Sequence, residues 1–243
     1  MSSRPSSDAA EPRPDQRLER GRATRAQLLA AATAVLSEQG YTAASMRAVA
    51  DRAGTRLSLV QYHFGSKRGL LLAVMDDLTE QLLARQQSLF DDGRPFAEQW
   101  RTACDYLRED IRSGYVRILW ELWAAGLADP ELAERWQATQ RNWRELIVER
   151  LERWTAECDV ELPLRPRALA TLLGNLFEGA ETEILAGVSE QESPHLEALE
   201  ACAALIARAE RPRRAASQRT DGTMRPPAGA ASPAGRTRSG RSG

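Results

Sequence analysis

Residues 42–75 read TAASMRAVADRAGTRLSLVQYHFGSKRGLLLAVM, and this stretch decides the fold. It holds two short segments with helical apolar spacing, and an Ala-Gly pair lies between them. Two helices of about eight residues joined by such a tight turn hold the second helix at a steep angle, so that it fits the major groove of DNA. The spacing therefore predicts a helix-turn-helix.

The small and apolar positions of this stretch support the same geometry. Ala50 is small where the two helices approach, Gly54 follows four residues later, and Val60 locks the second helix. Ser45 is placed to cap the first helix and Ser66 to cap a longer one, which runs from Lys67 to about Leu89. Upstream, one apolar stripe predicts a further helix that Gly40 stops: Leu28, Leu29, Ala32, Val35 and Leu36.

The rest of the chain also reads as helix. Glycine and proline punctuation separates the predicted helices 95–112, 115–127, 130–157, 165–186 and 194–210. No alternating apolar and polar run of strand length stands out. We therefore expect an all-α protein of about nine helices.

The quoted stretch resembles the DNA-binding region of the tetracycline-repressor (TetR) family of regulators. The resemblance covers about 22–75 and lies in Ser45, Val49-Ala50, Ala53-Gly54, Tyr62-His63-Phe64 and Ser66-Lys67-Arg68-Gly69-Leu70. It implies an N-terminal three-helix DNA-binding domain and a C-terminal helical bundle for ligand binding and dimerisation. The expected organisation is a disordered arm (1–21), the helix-turn-helix domain (22–68), the bundle (69–210) and a disordered basic tail (211–243).

Two positions depart from the family pattern. Thr55-Arg56 stands where the family has an apolar residue followed by serine, so either Thr55 caps the second helix or that helix begins slightly differently. Gln61 stands where tyrosine is common. Both departures affect the contacts with bases rather than the fold.

Side-chain chemistry gives the predicted DNA contacts. Ser45 and Lys67 lie at helix N-termini, where backbone N–H groups and the side chain grip a phosphate together. Gln61 suits the adenine edge, Ser58 suits either groove edge, and Leu57 suits a thymine methyl group. The full predicted set is Ser45, Arg47, Arg56, Leu57, Ser58, Gln61, Tyr62, His63 and Lys67.

The charges are segregated along the chain. Residues 22–70 hold seven basic residues against two acidic ones, whereas residues 71–210 hold 14 basic against 27 acidic. The tail, 211–243, holds eight arginines against one aspartate and has no Leu, Ile, Val or aromatic residue. A compact basic segment on an acidic body predicts that one end of the protein binds a polyanion and that the other end has a different function.

The body offers candidate ligand and dimer residues. All six tryptophans lie there, and they either pack helix against helix or line an apolar pocket between helices. The predicted ligand-binding residues are Trp100, Trp120, Trp123, Trp143 and Phe177. Charges that suit the polar end of such a pocket are Arg117, Glu121, Glu178, Glu181 and Glu183. The last two helices form a natural two-fold interface, predicted to contain Leu169, Leu172, Leu176, Leu196, Leu199 and Ile206.

These features favour a homodimeric regulator, most simply a repressor that binds a palindromic operator and that a small molecule releases. The alternative is a DNA-binding regulator without small-molecule input, whose body only dimerises or binds another protein. An enzyme is disfavoured, because the sequence has no Gly-rich phosphate loop, no GxSxG and only two histidines. We expect no metal and no cofactor. We also expect no membrane partner and a cytoplasmic location, since no apolar run approaches the length of a membrane span and the N-terminus has no apolar signal segment.

Overall fold

The computed structural model describes residues 14–210, and within that range the chain forms nine α-helices and no strand. The all-α prediction is thus confirmed for this part of the chain. The helices are α1 (Pro14–Ala43), α2 (Met46–Arg52), α3 (Leu57–Phe64), α4 (Lys67–Phe90), α5 (Phe96–Ser113), α6 (Tyr115–Gly126), α7 (Pro130–Cys158), α8 (Pro166–Leu185) and α9 (His195–Ala209). The regular part of α1 ends in a kink at Gly40, where φ is 77° and ψ is 174°, as the sequence predicts.

The first helix begins earlier than predicted. It starts at Pro14 and includes residues 14–21, so the prediction of a disordered arm is wrong for this segment. Proline suits the first turn of a helix, and the Arg, Glu, Gln and Leu residues that follow are good helix formers. The remainder of the predicted arm, 1–13, and the predicted basic tail, 211–243, lie outside the described residues.

The turn between α2 and α3 forms as the spacing predicts. Ser45 caps α2, because its Oγ accepts a hydrogen bond from the Ala48 N–H at 3.1 Å. Gly54 follows with a φ of 65°, a left-handed conformation that glycine adopts without strain. α3 then begins at Leu57 with Arg56 as its N-terminal cap residue and no side-chain cap. Of the two alternatives for Thr55, capping is therefore wrong.

The junction between α3 and α4 depends on a close backbone approach. Ser66 caps α4, with its Oγ accepting from the Gly69 N–H at 3.1 Å. A Cβ atom at Gly69 would lie only 2.2 Å from the carbonyl oxygen of Phe64. Glycine is thus the residue that lets α4 start so close to the end of α3.

Two buried clusters organise the described residues. The first joins α1, α2, α3 and the N-terminal part of α4 to buried residues of α6 and α7, and it includes all five predicted core residues of α1. The second joins the C-terminal end of α4 to α5, α6, α7, α8 and α9. Because α4 contributes to both, the predicted division at 68/69 falls in the first turn of a helix that connects the two clusters. None of the described helices is long and apolar enough to cross a membrane.

Candidate nucleic-acid interface and ligand cavity

Helix α3 has one buried face and one polar, exposed face. Val60 is fully buried and Phe64 is 9% exposed, so both side chains fix the helix to the first cluster. Ser58 and Gln61 are exposed on the opposite side, and Tyr62 is 82% exposed. An eight-residue helix anchored in this way presents hydrogen-bonding groups outward, as a helix that enters a DNA groove must.

Two of the residues predicted to contact the DNA groove are partly buried. Leu57 is partly buried and packs against the first cluster, so the structure does not support a contact between its side chain and a thymine methyl group. His63 is also partly buried, and its ring meets that of Tyr62 edge-on at 5.2 Å between centroids.

The predicted phosphate-binding residues surround this helix. Ser45 and Arg56 are exposed at the starts of α2 and α3, and Arg47 is exposed one turn from Asp51. Lys67 instead makes contacts within the chain. Its Nζ donates to the carbonyl of Tyr41 at 3.1 Å and lies 4.8 Å from the centre of the Tyr41 ring. A lysine ammonium has three donors, so this bond leaves donors for a phosphate.

Arg52 makes its polar contacts within the chain. Both of its terminal nitrogens bond the carboxylate of Glu38, at 2.6 and 2.8 Å, and so tie α2 to α1. The hydrogen bond from Arg52 lowers the pKa of Glu38. The pair therefore links α2 to α1 at the protein surface.

A polar contact that the sequence did not reveal connects the start of α4 to the body. The Arg68 guanidinium bonds both carboxylate oxygens of Asp129, at 2.6 and 2.7 Å, and also pairs with Glu131 at 2.8 Å. Asp129 in turn caps α7 by accepting from the backbone N–H of Glu131. The bond from Arg68 is the main reason that the pKa of Asp129 falls to about 2. No local pattern marks this pair, because 61 residues separate its members.

A second contact joins α6 to the end of α1. The Glu121 carboxylate accepts from the Tyr41 N–H at 2.6 Å and from Arg117 Nε at 2.9 Å. Arg117 and Glu121 line a surface pocket beside Tyr41, where both are engaged at this helix contact, and they do not reach the apolar cavity among the tryptophans. Glu183 is exposed, pairs with His195 and does not line that cavity either.

Helices α4 to α8 line a partly open cavity of about 110 Å³. Trp100, Trp143 and Phe177 line it, as predicted, and so does Trp136. Trp120 and Trp123 are not in the cavity wall, and that part of the prediction is wrong. The indole N–H of Trp120 instead bonds Glu181, and Trp123 is 37% exposed with its ring packed against that of Trp120 at 5.2 Å.

Carboxylates form the polar side of the cavity. Glu178 and Glu181 line it together with Asp110, and Arg85 bonds both oxygens of Asp110 at 2.9 and 2.5 Å. Glu181 accepts from Trp120 Nε1 at 3.0 Å. Burial raises the pKa of Glu181 to about 7 against the lowering effect of that bond, and the nearby Glu178 and Asp110 add to the rise.

The outer faces of α8 and α9 expose apolar side chains. Leu172 is 50% exposed, Leu176 is 38% exposed and Leu205 is 68% exposed. Leu169, Leu196 and Ile206 are partly buried against the second cluster. Leu199 is only 1% exposed, so its prediction as an interface residue is wrong, because the side chain is already enclosed within its own chain.

A helix-turn-helix with a polar outward face, carried on an all-helical body, defines a DNA-binding transcriptional regulator. Residues 28–74 match the family model described as bacterial regulatory proteins, tetR family. The chain is 28% identical over 158 residues to the HTH-type transcriptional regulator BetI of Stenotrophomonas maltophilia, covering 63% of this chain and 79% of that protein. It is 26% identical over 173 residues to the regulator UidR of Escherichia coli, covering 67% and 84%.

Solved structures agree with these relatives. A TetR-family transcriptional regulator from Pectobacterium atrosepticum superposes with a TM-score of 0.60 at 28% identity, covering 80% of this chain and 98% of the other. The family-model match and these relatives support a TetR-family transcriptional regulator, and the relatives are named as transcriptional regulators, a class of protein that is not enzymatic.

Proposed function

We propose that the protein is a homodimeric repressor that binds a palindromic operator and that a small molecule releases from DNA. The observation that carries this proposal is the path of α4. Its first turn holds Lys67 and Arg68 beside the helix-turn-helix, and its later turns supply Arg85 and Phe90 to the cavity wall. One helix thus connects the DNA-binding end to the candidate ligand site.

Dimerisation would use the exposed apolar faces of α8 and α9. A two-fold axis brings the same patch of each subunit together, so the exposed Leu172, Leu176 and Leu205 would be covered by their counterparts. Two α3 helices would then lie about 34–36 Å apart, one turn of DNA, which is why the operator should be palindromic.

Ligand release requires two shapes with different affinities for the ligand. A ligand in the cavity would press on α4, which begins at the helix-turn-helix, and on α6 and α7, which are joined to the DNA-binding end through Tyr41–Glu121 and Arg68–Asp129. If the ligand favours the shape in which the two α3 helices no longer match the groove, operator affinity falls by the coupling between the sites.

The alternative, a regulator without small-molecule input, is less well supported. Such a body needs only a filled core, whereas this one retains a cavity with aromatic walls and carboxylates. Pockets of this composition are typical of small-molecule sites in helical proteins. A regulator of this kind binds chromosomal DNA, and we therefore also propose a cytoplasmic location.

Sedimentation velocity tests the dimer directly. We expect wild type to sediment as a dimer and Leu205→Asp to sediment as a monomer, because two carboxylates would be buried at the interface. Glu197→Asp is the matched control, since Glu197 is exposed on the same helix and keeps its charge. A monomeric wild type would overturn the dimer.

Labelled operator tests the release. The operator is first selected from random DNA, and its complex with the protein is then titrated with a library of small metabolites. At least one compound should lower operator affinity by about 5- to 150-fold, the usual range of coupling between sites. If no compound that binds the protein changes operator affinity, ligand release is wrong while DNA binding stands.

A further inference from the structure

We propose, resting on the ligand-responsive regulator above, that the cavity binds a small organic cation between its aromatic rings and the carboxylate of Glu181. The cavity has two properties that together select such a ligand, which are the ring faces of its walls and an excess of negative charge without a basic partner.

The walls supply ring faces. Trp100, Trp136, Trp143 and Phe177 line the cavity from three different helices. The face of an aromatic ring attracts a cation, and Trp does so most strongly. The cavity already shows such an interaction, because the Arg85 guanidinium lies 4.4 Å from the centre of the Tyr106 ring.

The charges do not balance. Arg85 is paired with Asp110 through both carboxylate oxygens, so that pair is neutral overall. Glu181 bonds the indole N–H of Trp120, and Glu178 bonds the side-chain amide of Gln140. Over residues 14–210, neither Glu178 nor Glu181 has a salt bridge to a basic side chain. A bound cation would supply the missing positive charge, and a bound anion would be repelled.

The volume limits the size of the cation. An apolar cavity of about 150 Å³ accommodates benzene, so a smaller one has room for about four or five heavy atoms without rearrangement. The volume of about 110 Å³ therefore fits a small alkylammonium ion and excludes a large drug unless the helices move apart.

Proton release should accompany binding. Because burial holds the pKa of Glu181 near 7, part of this carboxyl is protonated in the empty cavity at neutral pH. A cation binds the ionised form, so its affinity should rise by about tenfold from pH 6 to pH 8. The titratable and charged groups that face Glu181 are Asp110 from α5, Arg85 from α4, Tyr115 from α6 and Glu178 from α8.

The test compares three probes with the same branched shape on the full-length protein without DNA. Tetramethylammonium carries a positive charge, tert-butanol is neutral and methanesulfonate is negative, and all three are tetrahedral and similar in size. Binding is followed by tryptophan fluorescence and by isothermal titration calorimetry. We expect tetramethylammonium to bind at least tenfold more tightly than tert-butanol, and methanesulfonate not to bind.

Two variants assign the effect to the cavity. Glu181→Gln keeps the size and the hydrogen-bonding capacity of the side chain, and it should lower the affinity for tetramethylammonium at pH 8 by at least tenfold and remove its pH dependence. Glu149→Gln, an exposed carboxylate on the outer side of α7, should leave both unchanged. Thermal melting confirms that both variants are folded.

The outcomes separate this inference from the proposed function. If tetramethylammonium binds more tightly than the neutral probe and Glu181→Gln abolishes this preference, the inference is supported. It is supported even if operator affinity does not respond to tetramethylammonium, and in that case only the proposed ligand release fails. Equal binding of cation and neutral probe, or an unchanged Glu181→Gln variant, overturns the inference, even if another compound releases the operator.

Discussion

Replacing Gly69 by alanine tests the junction that positions the recognition helix. The new Cβ would lie 2.2 Å from the Phe64 carbonyl oxygen, where real Cβ contacts are essentially never below 3.0 Å. Backbone at the end of α3 or the start of α4 must therefore move by nearly 1 Å. The same movement disturbs the 3.1 Å bond between the Gly69 N–H and Ser66 Oγ.

The magnitude follows from three contributions. Forcing an atom into a packed junction costs about 1–3 kcal/mol. Losing the Ser66 cap costs about 1 kcal/mol, and the better helix propensity of alanine offsets about the same amount. The free energy of unfolding should thus fall by about 1–3 kcal/mol, which lowers the Tm of a body of this size by about 2–12 °C.

Differential scanning calorimetry measures the effect, and Gly21→Ala is the matched control. Gly21 lies in α1, and a Cβ there would have nothing within 4 Å, so this variant should be as stable as wild type or slightly more stable. Operator affinity should also fall in Gly69→Ala, because Phe64 ends the recognition helix. If Gly69→Ala melts at or above the wild-type temperature, the close approach at the α3–α4 junction is wrong.

Two further predictions concern the contacts between the DNA-binding end and the body. The Arg68 bond lowers the pKa of Asp129 to about 2, so its stabilising effect is complete above the ordinary aspartate pKa and is lost as pH falls from about 4 to 2. Arg68→Ala should therefore show a shallower fall in Tm over that range than wild type, and identical slopes would contradict the pairing. Glu121→Ala removes the acceptor for the Tyr41 N–H and for Arg117, so ligand should release less operator although it binds the cavity equally well. Parallel calorimetric and operator titrations check this, and unchanged release would exclude that contact as a coupling element.

The helices were predictable because their signals are local. Ser45 and Ser66 cap the helices that follow them, and Gly54 lies at the turn, so each boundary can be found within a few residues of sequence. The exposed face of α3 was predictable for the same reason, because burial of Val60 and Phe64 leaves Gln61 on the opposite, exposed side of the helix.

The predictions that were wrong concern residues whose environment depends on how the helices pack against one another. Leu199 and Leu205 have the same chemistry on one helix, but packing of α9 against α5 buries the first and leaves the second 68% exposed. Trp120 and Trp136 are likewise indistinguishable by composition, yet only Trp136 reaches the cavity. The pairs Arg68–Asp129 and Tyr41–Glu121 join residues 61 and 80 positions apart, and no periodicity relates such positions.

Binding of selected DNA tests most directly the claim that the exposed face of α3 recognises an operator. DNA is selected from a random pool with the full-length protein, and fluorescence anisotropy then compares wild type with Gln61→Ala and with Gln191→Ala, an exposed glutamine in the turn before α9. We expect a palindromic consensus, a loss of about 5- to 150-fold in operator affinity for Gln61→Ala and no change for Gln191→Ala. Recovery of no consensus, with wild type binding all sequences equally, would contradict operator recognition by α3.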